Sequence, residues 1–197
     1  MSLIRGTRWS DSIVGTRDND TIIGSAGADV LEGRGGDDWI IGGLGDDVII
    51  GGAGHDGLFG GFGSDALLGG EGNDTLGGGQ GDDILSGGTG NDVLNGDAGN
   101  DRMTGGAGAD VFRIGTLAGN DTITDLNFAE GDELWFLAGV FDRAVRIKSV
   151  ADLLALDAAK DEVSLSAMGE DVMVHYESLG NTYHLRLMGL ADEVFGS

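Results

Sequence analysis

From Gly6 onward, glycine and aspartate recur in an unbroken nine-residue register, and that register limits the folds open to this chain. The units begin at Gly6, Gly15, Gly24, Gly33, Gly42, Gly51, Gly60, Gly69, Gly78, Gly87, Gly96 and Gly105, and the twelfth ends at Arg113. The sixth position is aspartate in every unit: Asp11, Asp20, Asp29, Asp38, Asp47, Asp56, Asp65, Asp74, Asp83, Asp92, Asp101 and Asp110. The eighth is large and apolar in every unit: Ile13, Ile22, Leu31, Ile40, Ile49, Leu58, Leu67, Leu76, Leu85, Leu94, Met103 and Phe112. Chance does not hold two residue classes in phase twelve times.

Of the 40 glycines, 32 fall inside this segment. Collagen is excluded, because the period is not three and the chain has no proline. Disorder is disfavoured by an apolar content of 40%. The spacing predicts a short strand over the last three positions of each unit, with the eighth side chain inward and the seventh and ninth outward. The first six positions are expected to form a turn, where glycine permits positive φ and close backbone approach. Two units then make one coil of eighteen residues, and units n and n+2 stack as parallel strands about 4.8 Å apart.

That stacking raises an electrostatic problem. Aspartates line each edge of the coil, and neighbours at about 5 Å repel by roughly 3 kcal/mol at an effective dielectric near 20. The whole chain carries a formal net charge of −23, which disfavours nucleic acid and anionic membrane surfaces as partners. Cations between the rungs resolve the conflict. Calcium suits the donors best, because it is hard, takes 6–8 oxygens and tolerates irregular geometry. Carboxylates and glycine-turn carbonyls offer only oxygen, and there is no cysteine to favour zinc. Twelve loops give at most ten n/n+2 pairs. The chain is therefore expected to need calcium to fold.

The unit has the form GGxGxDxUx, with U a large apolar residue, and over Gly6–Arg113 the chain resembles the RTX (hemolysin-type) calcium-binding repeat family. The first two units are degenerate: Gly6-Thr7-Arg8-Trp9 and Gly15-Thr16-Arg17-Asp18 lack the inner glycines. The resemblance implies an all-β, right-handed parallel β-roll in which each calcium sits between loops n and n+2. Loop n would give the carbonyls of positions two and four plus its aspartate, and loop n+2 the carbonyls of positions one and three plus its own. One such site takes Gly43, Gly45 and Asp47 with Gly60, Phe62 and Asp65. Along the roll the implied carbonyl donors include Arg34, Gly36, Gly51, Gly52, Ala53, Gly54, Gly61, Gly63, Gly69, Gly70, Glu71, Gly72, Gly78, Gly79, Gln80 and Gly81. Gly87, Gly88, Thr89, Gly90, Gly96, Ala98, Gly105 and Ala107 complete them.

From Ile114 the register breaks, dividing the chain into a roll, 1–113, and a capping segment, 114–197. Strands are expected over Asp121–Asp125 and Glu133–Leu137, a helix start at Ser149, and a hairpin of Val172–Tyr176 with Tyr183–Leu187 around Gly180-Asn181. The run Gly105–Phe112, followed by Asp125-Leu126-Asn127-Phe128 and Gly131-Asp132, resembles the C-terminal domain of serralysin-type secreted proteases. That resemblance implies a β-rich cap carrying an uncleaved type I secretion signal, with Asp192-Glu193-Val194-Phe195 as its acidic-then-apolar ending. It also implies secretion from a Gram-negative bacterium, and calcium ligation by Asp121 and Asp132 after the last repeat. No N-terminal signal peptide or 20-residue apolar span is present, and Met1 directly before the repeats favours a complete short protein.

Nothing else in the sequence points to catalysis. HExxH and GxSxG are absent, and Gly52–Gly57 matches GxGxxG only as a by-product of the repeat. The twelvefold aspartate period favours ligation over a carboxylate pair for glycoside hydrolysis. Asn19, Asn73 and Asn120 match the glycosylation pattern, the first two through repeat phase alone. His55 reads as an exposed turn residue. His175 and His184 read as surface residues paired across the hairpin, with a transition-metal site as the alternative. Ile23, Trp39, Ile41 and Phe59 share one outward face. That face is a partner or self-association patch, or it packs beneath the C-terminal segment, or it reflects β-propensity alone. The reading that results is a secreted calcium-binding structural or secretion module, not an enzyme. The alternative is an accessory domain of a larger extracellular protease, lipase or mannuronan epimerase, although the few arginines of the repeats form no row for a polysaccharide.

Overall fold

The structure, a computed structural model, describes residues 1–115, 118–137, 145–158, 163–168, 170–178, 181–190 and 194. Its strands in chain order are β1 (Leu3–Arg5), β2 (Ser12–Val14), β3 (Thr21–Ala26), β4 (Val30–Gly35), β5 (Trp39–Leu44), β6 (Val48–Ala53) and β7 (Gly57–Phe62). There follow β8 (Ala66–Glu71), β9 (Thr75–Gln80), β10 (Ile84–Thr89), β11 (Val93–Ala98), β12 (Arg102–Ala107) and β13 (Val111–Ile114). Beyond the repeats lie β14 (Asn120–Ile123), β15 (Glu133–Phe136), β16 (Val145–Ile147), helix α1 (Val150–Ala158), β17 (Val163–Met168), β18 (Asp171–Ser178) and β19 (Asn181–Leu187).

Odd-numbered strands β1 to β15 form one parallel sheet and even-numbered strands β2 to β14 the other. The register is Ile40 on Leu58 and Ile49 on Leu67, one eighteen-residue coil apart, as the spacing predicts. The fold is thus an all-β parallel solenoid with one short helix. Its core is the column of eighth-position side chains from Ile22 to Phe112, each no more than 2% exposed.

The strands are longer than expected. From β3 to β12, each takes the seventh to ninth positions of one unit and continues into the first three of the next, as in Ile84–Thr89. The ladder skips position one, pairing Ser86 with Thr104 and then Gly88 with Gly106. The reason is the stacking itself. Identical loops one coil apart present the amides of positions two and three in register, so half of the expected turn joins the sheet.

The winding also runs past Arg113. β14 pairs in parallel with β12, Met103 beside Ile123, and β15 with β13, Phe112 beside Leu134. Ile123 and Leu134 thereby take over the eighth-position role. Longer connections, of 20 and 22 residues between successive ladder aspartates, hide this extra turn from a nine-residue count.

Antiparallel strands then close the end. β16 lies on β15, and the β18–β19 hairpin docks β19 on β14, with β17 outside it. α1 packs against β16 and β17. Its start is capped as anticipated: Ser149 Oγ accepts from Asp152 N at 3.1 Å, and Asp152 Oδ2 accepts from Lys148 N at 3.0 Å. Gly180 and most of the tail that ends at Ser197 lie outside the described residues, Val194 excepted. No helix among the described residues is long and apolar enough to cross a membrane.

Candidate metal centre

In the regular units the chain bends after the third position, at positions four and five, so that the sixth-position carboxylate turns into the stack. From Asp20 to Asp110 these aspartates are 0–3% exposed. Each backbone N–H of an aspartate donates to Oδ1 of the aspartate one coil ahead: Asp29 to Asp47 at 2.8 Å, Asp47 to Asp65 at 2.8 Å, Asp65 to Asp83 at 2.8 Å. Asp121 and Asp132 extend both ladders, accepting from Asp101 N at 3.0 Å and Asp110 N at 2.9 Å. The two acids named after the last repeat therefore stand at the position-six place of the extra turn.

From Asp29 to Asp110 the second oxygen has no hydrogen-bond partner. Oδ2 is buried without a hydrogen bond in Asp29, Asp38, Asp47, Asp56, Asp65, Asp74, Asp83, Asp92, Asp101 and Asp110. An unsatisfied buried carboxylate oxygen is among the costliest groups a fold can carry. Ten of them in a row, at equivalent places, suit a cationic partner.

Around eight of these oxygens, Asp29 to Asp92, the backbone is aimed the same way. A Cβ built on Gly42 would lie 2.2 Å from Asp47 Oδ2 and 2.7 Å from the carbonyl oxygen of Gly60, so both oxygens converge on one spot. Phe62 C=O points down to Gly45 N, which donates at 2.8 Å. The carbonyls of positions two and four point up: Gly43 O and Gly45 O would each lie 2.3 Å from a Cβ on Gly61 and Gly63. Gly61 and Gly63 have φ of 118° and 121°, so glycine is required there for both space and conformation. Carbonyls of loop n facing up and of loop n+2 facing down, beside two carboxylates, form the all-oxygen donor set that calcium takes. No group of three or more His, Cys, Asp or Glu side chains converges among the described residues, so backbone carbonyls must complete any site.

Electrostatics agrees with this reading. Burial, assisted by neighbouring aspartates, pushes Asp47, Asp56 and Asp110 up to about 6 and Asp83 up to about 7. Asp121 is pushed up to about 8 by burial and by Asp101. A rung without cations thus resists carrying its charges.

The first two units differ. Asp11 Oδ2 accepts from Thr7 N at 2.6 Å and Thr7 Oγ1 at 2.9 Å, and Asp20 Oδ2 from Thr16 N and Oγ1, both at 2.8 Å. These bonds hold Asp20 down at about 2.

A further row went unread in the sequence. At position five, Asn19 Oδ1 accepts from Asp37 N, Asp37 Oδ1 from His55 N, His55 Nδ1 from Asn73 N, and Asn73 Oδ1 from Asn91 N, at 2.8–2.9 Å. His55 is exposed, as expected, but its Nδ1 is an acceptor in this row. The signal was the recurrence of Asn, Asp and His at position five, masked by the invariant aspartate beside it. Asp125, read from sequence only as a strand end and as part of a family resemblance, also holds a loop: its carboxylate accepts from Gly105 N at 2.9 Å and Gly106 N at 2.8 Å.

His175 and His184 face each other across the hairpin with Nδ1 atoms 2.7 Å apart, and Ser166 Oγ lies 2.8 Å from His175 Nε2. His184 N donates to Asn120 Oδ1, which ties the pair to the edge of the roll. On the outward face of the odd-strand sheet, the Trp39 and Phe59 ring centroids are 4.6 Å apart. Trp39 packs over Gly57 and Phe59 over Gly77, while Trp39 remains 49% exposed.

No curated protein matches the chain. Among solved structures it is similar to the extracellular lipase LipA from Serratia marcescens (16% identity, TM-score 0.32), covering 93% of this chain and 37% of the lipase. It is also similar to the AlgE6R3 subunit of the Azotobacter vinelandii mannuronan C5-epimerase (20% identity, TM-score 0.25), covering 93% of this chain and 73% of that one. The chain spans little more than a third of the lipase's length. The RTX calcium-binding nonapeptide repeat family matches in four copies, over residues 6–40, 32–67, 41–76 and 77–112, which together span more than half of the chain. With the repeat, the solenoid and the matched residues in agreement, the chain belongs to the RTX calcium-binding nonapeptide-repeat family.

Proposed function

We propose that this is a secreted β-roll whose folding is driven by calcium after export, serving as a structural and secretion module without catalysis of its own. The observation that carries the reading is the set of ten buried, unpartnered Oδ2 atoms, eight of which (Asp29 to Asp92) converge with a backbone carbonyl of the loop stacked above. Bound calcium supplies the positive charge that lets these carboxylates coexist. The chain's own residues do the remainder: glycine turns aim the carbonyls, Oδ1 locks each loop to the one before it, and the eighth-position column seals the interior. In ten rungs the ligands are Asp29 through Asp110, with Asp121 and Asp132 closing the last two. Calcium-poor cytosol would leave the chain extended for a type I exporter, and extracellular calcium modules work at about 10⁻⁴–10⁻³ M.

On this reading residues 114–197 cap the roll and carry the export signal, and the outward patch of Ile23, Trp39, Ile41 and Phe59 is a surface for a second copy. The capping role is supported by the antiparallel strands and α1 at that end, and the patch by the half-exposed Trp39. The alternative is the accessory domain of a larger extracellular protease, lipase or epimerase. The reading frame upstream of Met1 separates the two.

The test of calcium-driven folding is far-ultraviolet circular dichroism in EGTA and again at 10 mM calcium. A β spectrum that appears only with calcium supports it; the same spectrum and melting curve in both rejects it. If Trp39→Ser with Phe59→Ser leaves the mass by light scattering unchanged, the self-association surface is wrong.

A further inference from the structure

The twelve repeat aspartates fall into two classes that the sequence pattern does not separate. In ten, Oδ2 is orphaned; in Asp11 and Asp20 it is held by a threonine at position two of its own unit. The same hydroxyls also shape the turn, accepting from Trp9 N and Asp18 N at 3.1 Å each.

The backbone of these two loops differs as well. In regular units positions two and four have positive φ, as at Gly43 and Gly45, and their carbonyl oxygens meet the next rung head-on. Thr7, Trp9, Thr16 and Asp18 have no positive φ. Where Gly45 meets the oxygen of Gly27 at 2.3 Å, Gly27 meets the peptide carbon of Trp9 and nitrogen of Ser10 at 2.6 and 2.5 Å. Gly36 likewise meets the peptide carbon of Asp18 and nitrogen of Asn19, at 2.6 Å each. The first two loops therefore do not aim the position-four carbonyl into the gap, and their aspartate has already spent the oxygen that would face a cation.

We propose that Thr7 and Thr16 stand in for calcium, so that the first two repeats are metal-free end caps and the calcium ladder begins at Asp29 and Asp38. The proposal rests on the reading that calcium fills the other rungs. It shifts the set of sites expected from register alone toward the C-terminus: the gaps above units one and two drop out, and those above Asp101 and Asp110, roofed by Asp121 and Asp132, enter.

The test counts calcium ions on the full chain by native mass spectrometry at saturating calcium. Asp11→Asn and Asp20→Asn keep the ion count of the unsubstituted chain, whereas Asp29→Asn and Asp38→Asn each lose one ion. Opening the loops, with Thr7→Gly/Trp9→Gly and Thr16→Gly/Asp18→Gly together, adds one ion per opened loop. Loss of an ion from Asp11→Asn or Asp20→Asn, or an unchanged count in the opened variant, overturns the proposal. A chain that binds no calcium at all would remove the calcium reading itself, a result distinct from either.

Discussion

Replacing Gly60 with alanine separates the metal from the backbone. Gly60 has no positive φ, so alanine there meets no dihedral penalty. Its Cβ would instead lie 2.2 Å from Asp65 Oδ2 and 2.6 Å from Gly78 O. Both are oxygens of one inter-rung gap, and the carboxylate must retreat by about 1 Å or more to reach ordinary contact. The matched control is Gly35→Ala. Gly35 also lacks positive φ, and its Cβ would meet only Ala53 O, at 3.5 Å. Alanine at Gly35 should stabilise by about 0.4–1 kcal/mol through the unfolded chain. Alanine at Gly60 should cost the chain one ion. For a site with Kd near 10⁻⁴ M, that ion is worth about 2.7 kcal/mol at a hundredfold excess of calcium. The two variants should then differ in melting temperature by roughly 5–15 °C at 10 mM calcium. The gap should widen by about 1.4 kcal/mol per tenfold rise in calcium, the mark of one ion fewer. Melting followed by circular dichroism across a calcium series measures it. A difference that does not change with calcium would show that steric strain, not a lost ion, is responsible.

Acid should partly replace calcium. Carboxylates pushed up to about 6 or 7 in the metal-free fold, such as Asp47, Asp83 and Asp92, penalise that fold fully above those values. The penalty disappears as pH falls toward the unfolded value near 3.9, so the metal-free chain should gain β signal between pH 7 and pH 4. Asp20, held near 2 by Thr16, works in the opposite sense and keeps its contribution down to that range. Three position-two residues other than glycine sit at positive φ: Ser25 at 94°, Arg34 at 81° and Asp97 at 70°. Each changed to glycine should stabilise the calcium-loaded roll by about 1 kcal/mol in thermal melts, Asp97 least because aspartate tolerates this region and Asn95 bonds its carboxylate. Magnesium at equal concentration should fail to restore the β spectrum, since it demands near-octahedral geometry and sheds its waters reluctantly.

Much of this was legible in the sequence because a solenoid repeats its local rules. The eighth-position column, the n/n+2 stacking and the buried aspartates all follow from a period of nine and a coil of eighteen. Glycine at Gly43 and Gly45 signalled positive φ, and both have it. Legibility failed where the period did. The turn carrying Asp121 and Asp132 is spaced by 20 and 22 residues, so repeat counting stops at Arg113 although the winding does not. Thr7 and Thr16 read as decay of the motif, yet their hydroxyls fill a specific place that only three-dimensional geometry exposes. The position-five row was hidden because its members vary chemically: Asn, Asp and His share one ability, accepting a backbone N–H at 2.8–2.9 Å. The β18–β19 pairing was visible from alternation, but its docking on β14 joins residues 64 apart and leaves no local trace.

The most direct test of the central claim is a calorimetric calcium titration of the metal-free chain with circular dichroism read at every step. The account predicts that about ten ions bind, matching the ten orphaned oxygens, and that bound calcium and β signal rise together. A chain already fully folded before the first addition, or one that binds its ions with no change in β signal, would contradict it.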